Sequence, residues 1–207
     1  MAFGDPTDNG CNDVLMRTSA GELRRYEGGC EMSALQSGSS YTSLGTGWNV
    51  HSVLTTPGDI TGDGLPDLVA RAASTGDMWL YAGKADGRLK SGVKIGTNWS
   101  AYKKVVGVGD LNGDGNGDLL LQDGSNELWR LDGRNNGTFK SRVLVFKDWG
   151  ANRDTIVGIG DLSGDGKADL VSRDTSGNLW RNDGNGAGSF GSSKLLGGGW
   201  QAYKTIF

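Results

Sequence analysis

Histidine is almost absent from this chain, with His51 alone among 207 residues, and that scarcity removes two classes of chemistry. A Ser-His-Asp or Cys-His nucleophile needs an imidazole to take its proton, and a zinc centre needs several imidazole or thiolate ligands. His51 also stands in a slot that Tyr102, Asn152 and Tyr203 fill elsewhere, so it reads as a variant of a repeated position. Of the free carboxylates, Glu22, Glu27 and Glu31 fall in the first repeat and Glu127 in the third, and the sequence marks no two of them as facing one cleft, which disfavours a glycosidase pair. No catalytic residue is assigned, and a non-enzymatic role is expected. Apolar runs stay well short of the roughly 20 residues of a membrane-spanning helix. No segment sustains a helical period either, so an α-solenoid is excluded. A formal net charge of −3 argues against nucleic acid as a partner. Residues 1–5 lack the basic and apolar regions of a secretory leader, so either an export signal has been removed ahead of Met1 or the chain is not exported.

What the chain has in abundance is glycine, 37 residues, set in acidic loops and between short apolar runs where turns are required. The acidic loops recur. They read Asp59-Ile-Thr-Gly-Asp-Gly-Leu-Pro-Asp67, Asp110-Leu-Asn-Gly-Asp-Gly-Asn-Gly-Asp118 and Asp161-Leu-Ser-Gly-Asp-Gly-Lys-Ala-Asp169, with a worn first copy, Asp5-Pro-Thr-Asp-Asn-Gly-Cys-Asn-Asp13. Their starts lie 54, 51 and 51 residues apart. A period near 50 residues is one supersecondary unit repeated, each unit burying its apolar faces against its neighbours.

The third repeat shows the unit best. Short apolar segments at 104–109, 118–122, 127–131 and 141–146 are separated by the acidic loop and by turns rich in Asp, Asn and Gly. Four short strands joined by hairpins describe a propeller blade. The expectation is an all-β chain forming a single β-propeller domain over residues 1–207, with repeats of approximately 1–54, 55–105, 106–156 and 157–207. The acidic loops fall on one face; the turns such as 174–177 and the longer inter-blade connections fall on the other.

Oxygen donors at loop positions 1, 3, 5, 7 and 9, with glycine at 6, suit a hard cation bound by a tightly coiled backbone. Three Ca2+ sites are expected. Their ligands are Asp59, Thr61, Asp63, the carbonyl of Leu65 and Asp67; Asp110, Asn112, Asp114, the carbonyl of Asn116 and Asp118; and Asp161, Ser163, Asp165, the carbonyl of Lys167 and Asp169. A fourth and weaker site would use Asp5, Thr7, Asn9 and Asp13, since Asn9 removes one charge. The competing reading is an Asx-rich turn satisfied by its own backbone.

This pattern of Asp-x-[Asp/Asn/Thr/Ser]-x-Asp-Gly-x-x-Asp-Leu after a Val-Gly-rich strand resembles the FG-GAP or VCBS-type repeats of integrin-like β-propellers over essentially the whole chain. The resemblance implies calcium between the first and second strands of a blade, and membership of a family that includes secreted lectins and adhesion ectodomains. Such propellers usually have seven blades, whereas this chain has four repeats. Residues 204–207 align with 103–106 and residues 1–4 with 106–109, so four blades would close a ring, or a second copy would complete a larger one as a homo-oligomer.

Cys11 sits at position 7 of the first loop and Cys30 follows Gly28-Gly29 in the turn after the third strand, which puts both on one face of one blade. A disulfide between them is expected, and with it an oxidising, extracellular location; the alternative is two free thiols.

The inter-blade connections carry a second signature: Trp48-Asn-Val-His51, Trp99-Ser-Ala-Tyr102, Trp149-Gly-Ala-Asn152 and Trp200-Gln-Ala-Tyr203. An indole face packs on the C–H face of a pyranose while polar side chains bond its hydroxyls. Trp48, Trp99, Trp149 and Trp200 with Tyr102, Asn152 and Tyr203 are therefore candidate ligand residues, and Arg71 and Arg173 are their polar partners. The same tryptophans read equally well as wedges between blades, and Trp79, Trp129 and Trp180 as blade packing. The expected partner is a glycan or cell-surface polysaccharide. The rivals are a protein partner docked on a flat face, and an excised fragment of a larger propeller.

Overall fold

The computed structural model describes residues 1–29, 36, 38–149 and 152–203. Among the described residues, sixteen strands form four antiparallel sheets of four, each in sequential order. Blade 1 holds β1 (Ala2–Gly4), β2 (Asp13–Arg17), β3 (Leu23–Tyr26) and β4 (Thr42–Ser43); blade 2 holds β5 (His51–Gly58), β6 (Asp67–Ala72), β7 (Met78–Tyr81) and β8 (Val93–Gly96). Blade 3 holds β9 (Tyr102–Gly109), β10 (Asp118–Asp123), β11 (Leu128–Leu131) and β12 (Val143–Phe146); blade 4 holds β13 (Arg153–Gly160), β14 (Asp169–Asp174), β15 (Leu179–Gly184) and β16 (Phe190–Gly197). This is a four-bladed β-propeller. The expected strands of the third repeat are all present, with β9 starting two residues earlier at Tyr102.

The first strand of every blade lines one central channel, where Ala2, Thr56, Gly107 and Gly158 come together. Adjacent inner strands approach so closely that a Cβ on Gly158 would lie 1.9 Å from the Gly107 carbonyl oxygen, and one on Gly107 2.4 Å from that of Thr56. Glycine is required there by the neighbouring backbone, since φ at neither position is left-handed.

Among the described residues, three apolar clusters cement the junctions. Phe3, Leu15 and Leu23 meet Leu68 between blades 1 and 2; Ile60, Val69, Met78 and Leu80 meet Leu119 and Leu121 between blades 2 and 3; Val108, Leu111, Leu120 and Leu128 meet Leu170 and Phe190 between blades 3 and 4. Truncating one such leucine to alanine costs about 2–5 kcal/mol. Among the described residues no apolar cluster and no hydrogen bond joins blade 4 to blade 1.

Candidate functional site

The acidic loops follow the first strand of each blade, as expected. Position 1 draws the loop around itself: Asp59 accepts from the N–H groups of Gly62 and Gly64, both at 2.7 Å, and Asp110 and Asp161 repeat the pattern with Gly113 and Gly115 and with Gly164 and Gly166. Position 9 is fully buried and ties the loop to the end of the third strand. Asp67 accepts from Ile60 N (2.9 Å) and Thr61 N (3.0 Å) with one oxygen, and from Gly83 N (3.0 Å) with the other. Asp118 and Asp169 make the same links to Gly133 and Gly184.

The position 5 carboxylates each hold a lysine: Asp63 with Lys90 and Asp114 with Lys140, both at 2.9 Å, and Asp165 with Lys167 at 3.3 Å. Burial pushes the Asp118 carboxyl up to about 6, with the charges of Asp132 and Asp114 adding to it against the lowering bonds from Gly133 and Leu111. Asp114 goes the other way. Burial raises it, but the Lys140 ammonium and bonds from Asn116 and Asn112 outweigh that and hold it at about 2.

The first loop is built differently. Asp13 turns one oxygen to Gly28 N (2.8 Å) and the other to Arg25 Nη1 (2.5 Å), so a guanidinium supplies the positive charge there. Thr7 Oγ1 is buried without a hydrogen-bond partner, whereas Thr61 and Ser163 reach their position 1 carboxylates at 3.3 Å. The donor types are those of a hard-cation loop, and Asp59, Thr61, Asp63, the Leu65 carbonyl and Asp67 are the residues that would hold the ion. As placed, the carboxylates face loop N–H groups and lysines, and among the described residues no three His, Cys, Asp or Glu side chains converge into a metal-binding group. Cys30 lies outside the described residues, and with it the expected pairing to Cys11.

On the opposite face, Trp48, Trp99 and Trp200 open single-turn 3-10 helices at Trp48–Val50, Trp99–Ala101 and Trp200–Ala202. Arg71 and Arg173 are directed at this backbone. Arg71 Nη1 donates to the carbonyls of Trp99 (3.0 Å) and Tyr102 (2.7 Å), and Arg173 Nη1 to those of Trp200 (2.9 Å) and Tyr203 (2.5 Å). Arg17 serves blade 1 in the same way, and in blade 3 the neutral Gln122 donates to Trp149 O (2.8 Å). Each clamp fixes the turn that delivers the chain to a following blade.

The indoles grade from closed to open. Trp48 is buried against Tyr81, ring centres 4.8 Å apart, and Trp149 stacks on Phe146 at 5.0 Å. Trp99 and Trp200 remain half-buried beside Tyr102 and Tyr203, at 5.7 and 5.4 Å. His51 bonds Tyr81 Oη through Nε2 at 2.9 Å, and burial, with Arg17 nearby, holds its imidazole below the ordinary value.

Strand register changes one alignment. Asn152 occupies the motif slot, but β13 begins at Arg153, which pairs with Asp174 as Tyr102 pairs with Asp123. Asn152 is exposed on the turn before it. Arg153 lies over the Trp180 ring at 5.3 Å, and Arg142 over the Trp129 ring at 3.8 Å while its Nη1 donates to Tyr102 Oη (3.3 Å). These arginines are absent from the sequence-based set. The available signal was an aspartate six residues before the tryptophan in repeats three and four, Asp123 and Asp174, which accept from the indole N–H of Trp129 and Trp180.

The FG-GAP-like repeat model matches residues 59–121 and 110–172. No curated protein matches the chain significantly. Among solved structures, an Agrocybe aegerita lectin, described for specific recognition of non-reducing terminal N-acetylglucosamine, superposes with a TM-score of 0.56 at 22% identity. The match covers 95% of this chain and 51% of the lectin, so the chain spans about half of that protein's length. A symmetrical protein from a study of de novo evolutionary emergence shaped by folding constraints superposes with a TM-score of 0.59 at 16% identity, covering 91% of this chain and 75% of that one. At these identities the likeness is one of fold.

Proposed function

Because the chain belongs to the FG-GAP-like repeat family, we propose that it is a non-catalytic, calcium-stabilised extracellular module that recognises carbohydrate at the junctions between blades. One observation carries the glycan reading. The indoles of Trp99 and Trp200 are half-open on the connection face, each beside a tyrosine, with the turn beneath held rigid by Arg71 or Arg173. A preformed aromatic shelf with little motion to lose is what weak sugar stacking requires. The lectin neighbour's recognition of N-acetylglucosamine supports a pyranose as the ligand class. Because Arg71 and Arg173 bond backbone, the hydroxyl partners in this reading are Arg142 and the Tyr102 hydroxyl.

Calcium in the acidic loops is part of the same proposal. A divalent ion would displace the lysine from each position 5 carboxylate and gather side chains that now face loop N–H groups. The Cys11–Cys30 bridge and secretion accompany it, since a calcium-held, disulfide-tied propeller belongs to an oxidising, calcium-rich medium.

A glycan array read with calcium and again with chelator, with Trp fluorescence on any hit, tests the reading. Binding to a defined sugar, with quenching lost in Trp99→Ala or Trp200→Ala, is the expected result. A blank array from folded, calcium-loaded protein overturns it.

A further inference from the structure

Blade 3 departs from its neighbours at two repeat positions that face the same junction. Strand register places Arg142 just ahead of β12, where blade 1 has Tyr41, blade 2 has Gly92 and blade 4 has Ser193. The slot at the start of the inner strand holds Tyr102 in blade 3, against His51 in blade 2 and Arg153 in blade 4. Blade 3 therefore sets a guanidinium and a phenol hydroxyl together, a combination that blades 2 and 4 lack.

The result is an exposed guanidinium that is fixed in place and short of a counter-charge. Arg142 lies over the Trp129 ring at 3.8 Å and donates through Nη1 to the Tyr102 hydroxyl at 3.3 Å. Tyr102 stands edge-on to Trp99, with ring centres 5.7 Å apart. Trp99, Tyr102 and Trp129 all pack on the apolar cluster between blades 2 and 3, so indole, hydroxyl and guanidinium belong to one surface. The carboxylate at this end of the blade, Asp123, is already engaged by the Trp129 indole N–H and the backbone N–H groups of Ser125 and Glu127. The exposed Lys90, Lys94 and Lys140 each hold a carboxylate at 2.9 Å, whereas among the described residues Arg142 forms no ion pair.

We infer that this surface selects an acidic sugar, with a carboxylate or sulfate ester of the pyranose held in the fork of Arg142 while the ring lies against Trp99. The inference rests on the glycan reading and narrows its ligand class. A sugar seated beside Tyr102 covers the guanidinium, and covering an unpaired charge is costly unless the ligand brings the opposite one. A neutral hydroxyl accepts a bond from Arg142 but leaves its charge uncompensated. An anionic group accepts two parallel N–H bonds, and Nε and Nη2 are open for them because Nη1 alone is committed to Tyr102. The other stacked arginines are spent: Arg24 holds Glu22 at 2.7 Å, and Arg153 turns its Nη1 into the interior. The acidic site therefore belongs to the junction of blades 2 and 3.

Fluorescence titrations of the purified full chain with three oligosaccharides of equal length, one carrying uronic acids, one carrying sulfate esters and one neutral, give the test. An acidic probe should bind about tenfold tighter than the neutral one, as expected for charge-assisted over neutral hydrogen bonds. The tighter of the two acidic probes identifies the anionic group, and added salt should shrink the preference. Arg142→Gln, at an exposed position, should level the three affinities with the folded far-UV spectrum retained. Tyr102→Phe keeps the ring but frees the guanidinium, and should weaken the preference. Arg134→Gln removes the same charge from an exposed turn that packs on the acidic loop of blade 2, and should leave the preference intact. Equal affinity for all three probes in the parent chain overturns the inference and leaves the glycan reading standing, as does a preference that survives Arg142→Gln. Binding of none of them overturns this inference and, with a blank array, the glycan reading too.

Discussion

The indole N–H of Trp180 donates to Asp174 Oδ2 at 2.9 Å, closing the turn between the second and third strands of blade 4. With the backbone N–H and side-chain amide of Asn178 and the N–H of Ser176, it holds the Asp174 carboxyl at about 2. All these donors favour the ionised form, so the contribution to folding is present above the unfolded carboxylate's range near 3.8 and is lost as pH falls through about 2. An NMR titration of the side-chain carboxyl should give a midpoint near that value, rising in Trp180→Phe. A midpoint at 3.8 or above would remove the basis for this prediction.

The arginine clamps predict a stability series. Arg71→Ala and Arg173→Ala each remove a charged donor from two carbonyls, and hydrogen bonds to charged groups contribute about 1.5–3 kcal/mol. Each variant should lose about 2–3 kcal/mol in urea unfolding, while Gln122→Ala, which removes a neutral donor where the other blades have a guanidinium, should lose about 1 kcal/mol. Equal losses at all three positions would show that the charge is irrelevant.

Close approach of the inner strands gives a sharper contrast. Gly158→Ala places its methyl 1.9 Å from a carbonyl oxygen that belongs to the neighbouring blade's backbone and cannot swing away. A cost of about 1–3 kcal/mol is expected, as for other overpacked sites. Gly124 has nothing within 4 Å of its Cβ position and no left-handed φ, so Gly124→Ala should be neutral or stabilising by up to about 1 kcal/mol. Thermal melts of the pair decide the matter, and similar melting temperatures would mean that the blades are farther apart in solution.

Calcium should raise the melting temperature and chelator should lower it again. Saturation at a hundredfold excess over Kd is worth about 2.7 kcal/mol per site. Because the Lys140 ammonium sits on Asp114 at 2.9 Å, Lys140→Met should bind calcium more tightly by isothermal titration than the parent chain. No heat and no thermal shift in either protein would mean that the loops close on backbone alone.

The sequence by itself determined the repeating unit and its all-β character. The acidic nonapeptide recurs at a fixed interval, and hairpin turns between short apolar runs leave a meander as the economical arrangement. It also placed Asp67, Asp118 and Asp169 at the loop ends, because a one-residue change in spacing would break their local bonds to residue two of the same loop. Tertiary structure alone decided which side chains those loops face. Lys90 reaches Asp63 across 27 residues, and Arg25 on β3 reaches Asp13 on the neighbouring β2, contacts no local spacing encodes. Register decided that Arg153, one residue beyond the motif slot, stands where Tyr102 and His51 stand, since pairing to Asp174 is set by the partner strand. Packing between blades decided which tryptophans stay open and which are sealed. Identical motifs become different surfaces because burial depends on the neighbour.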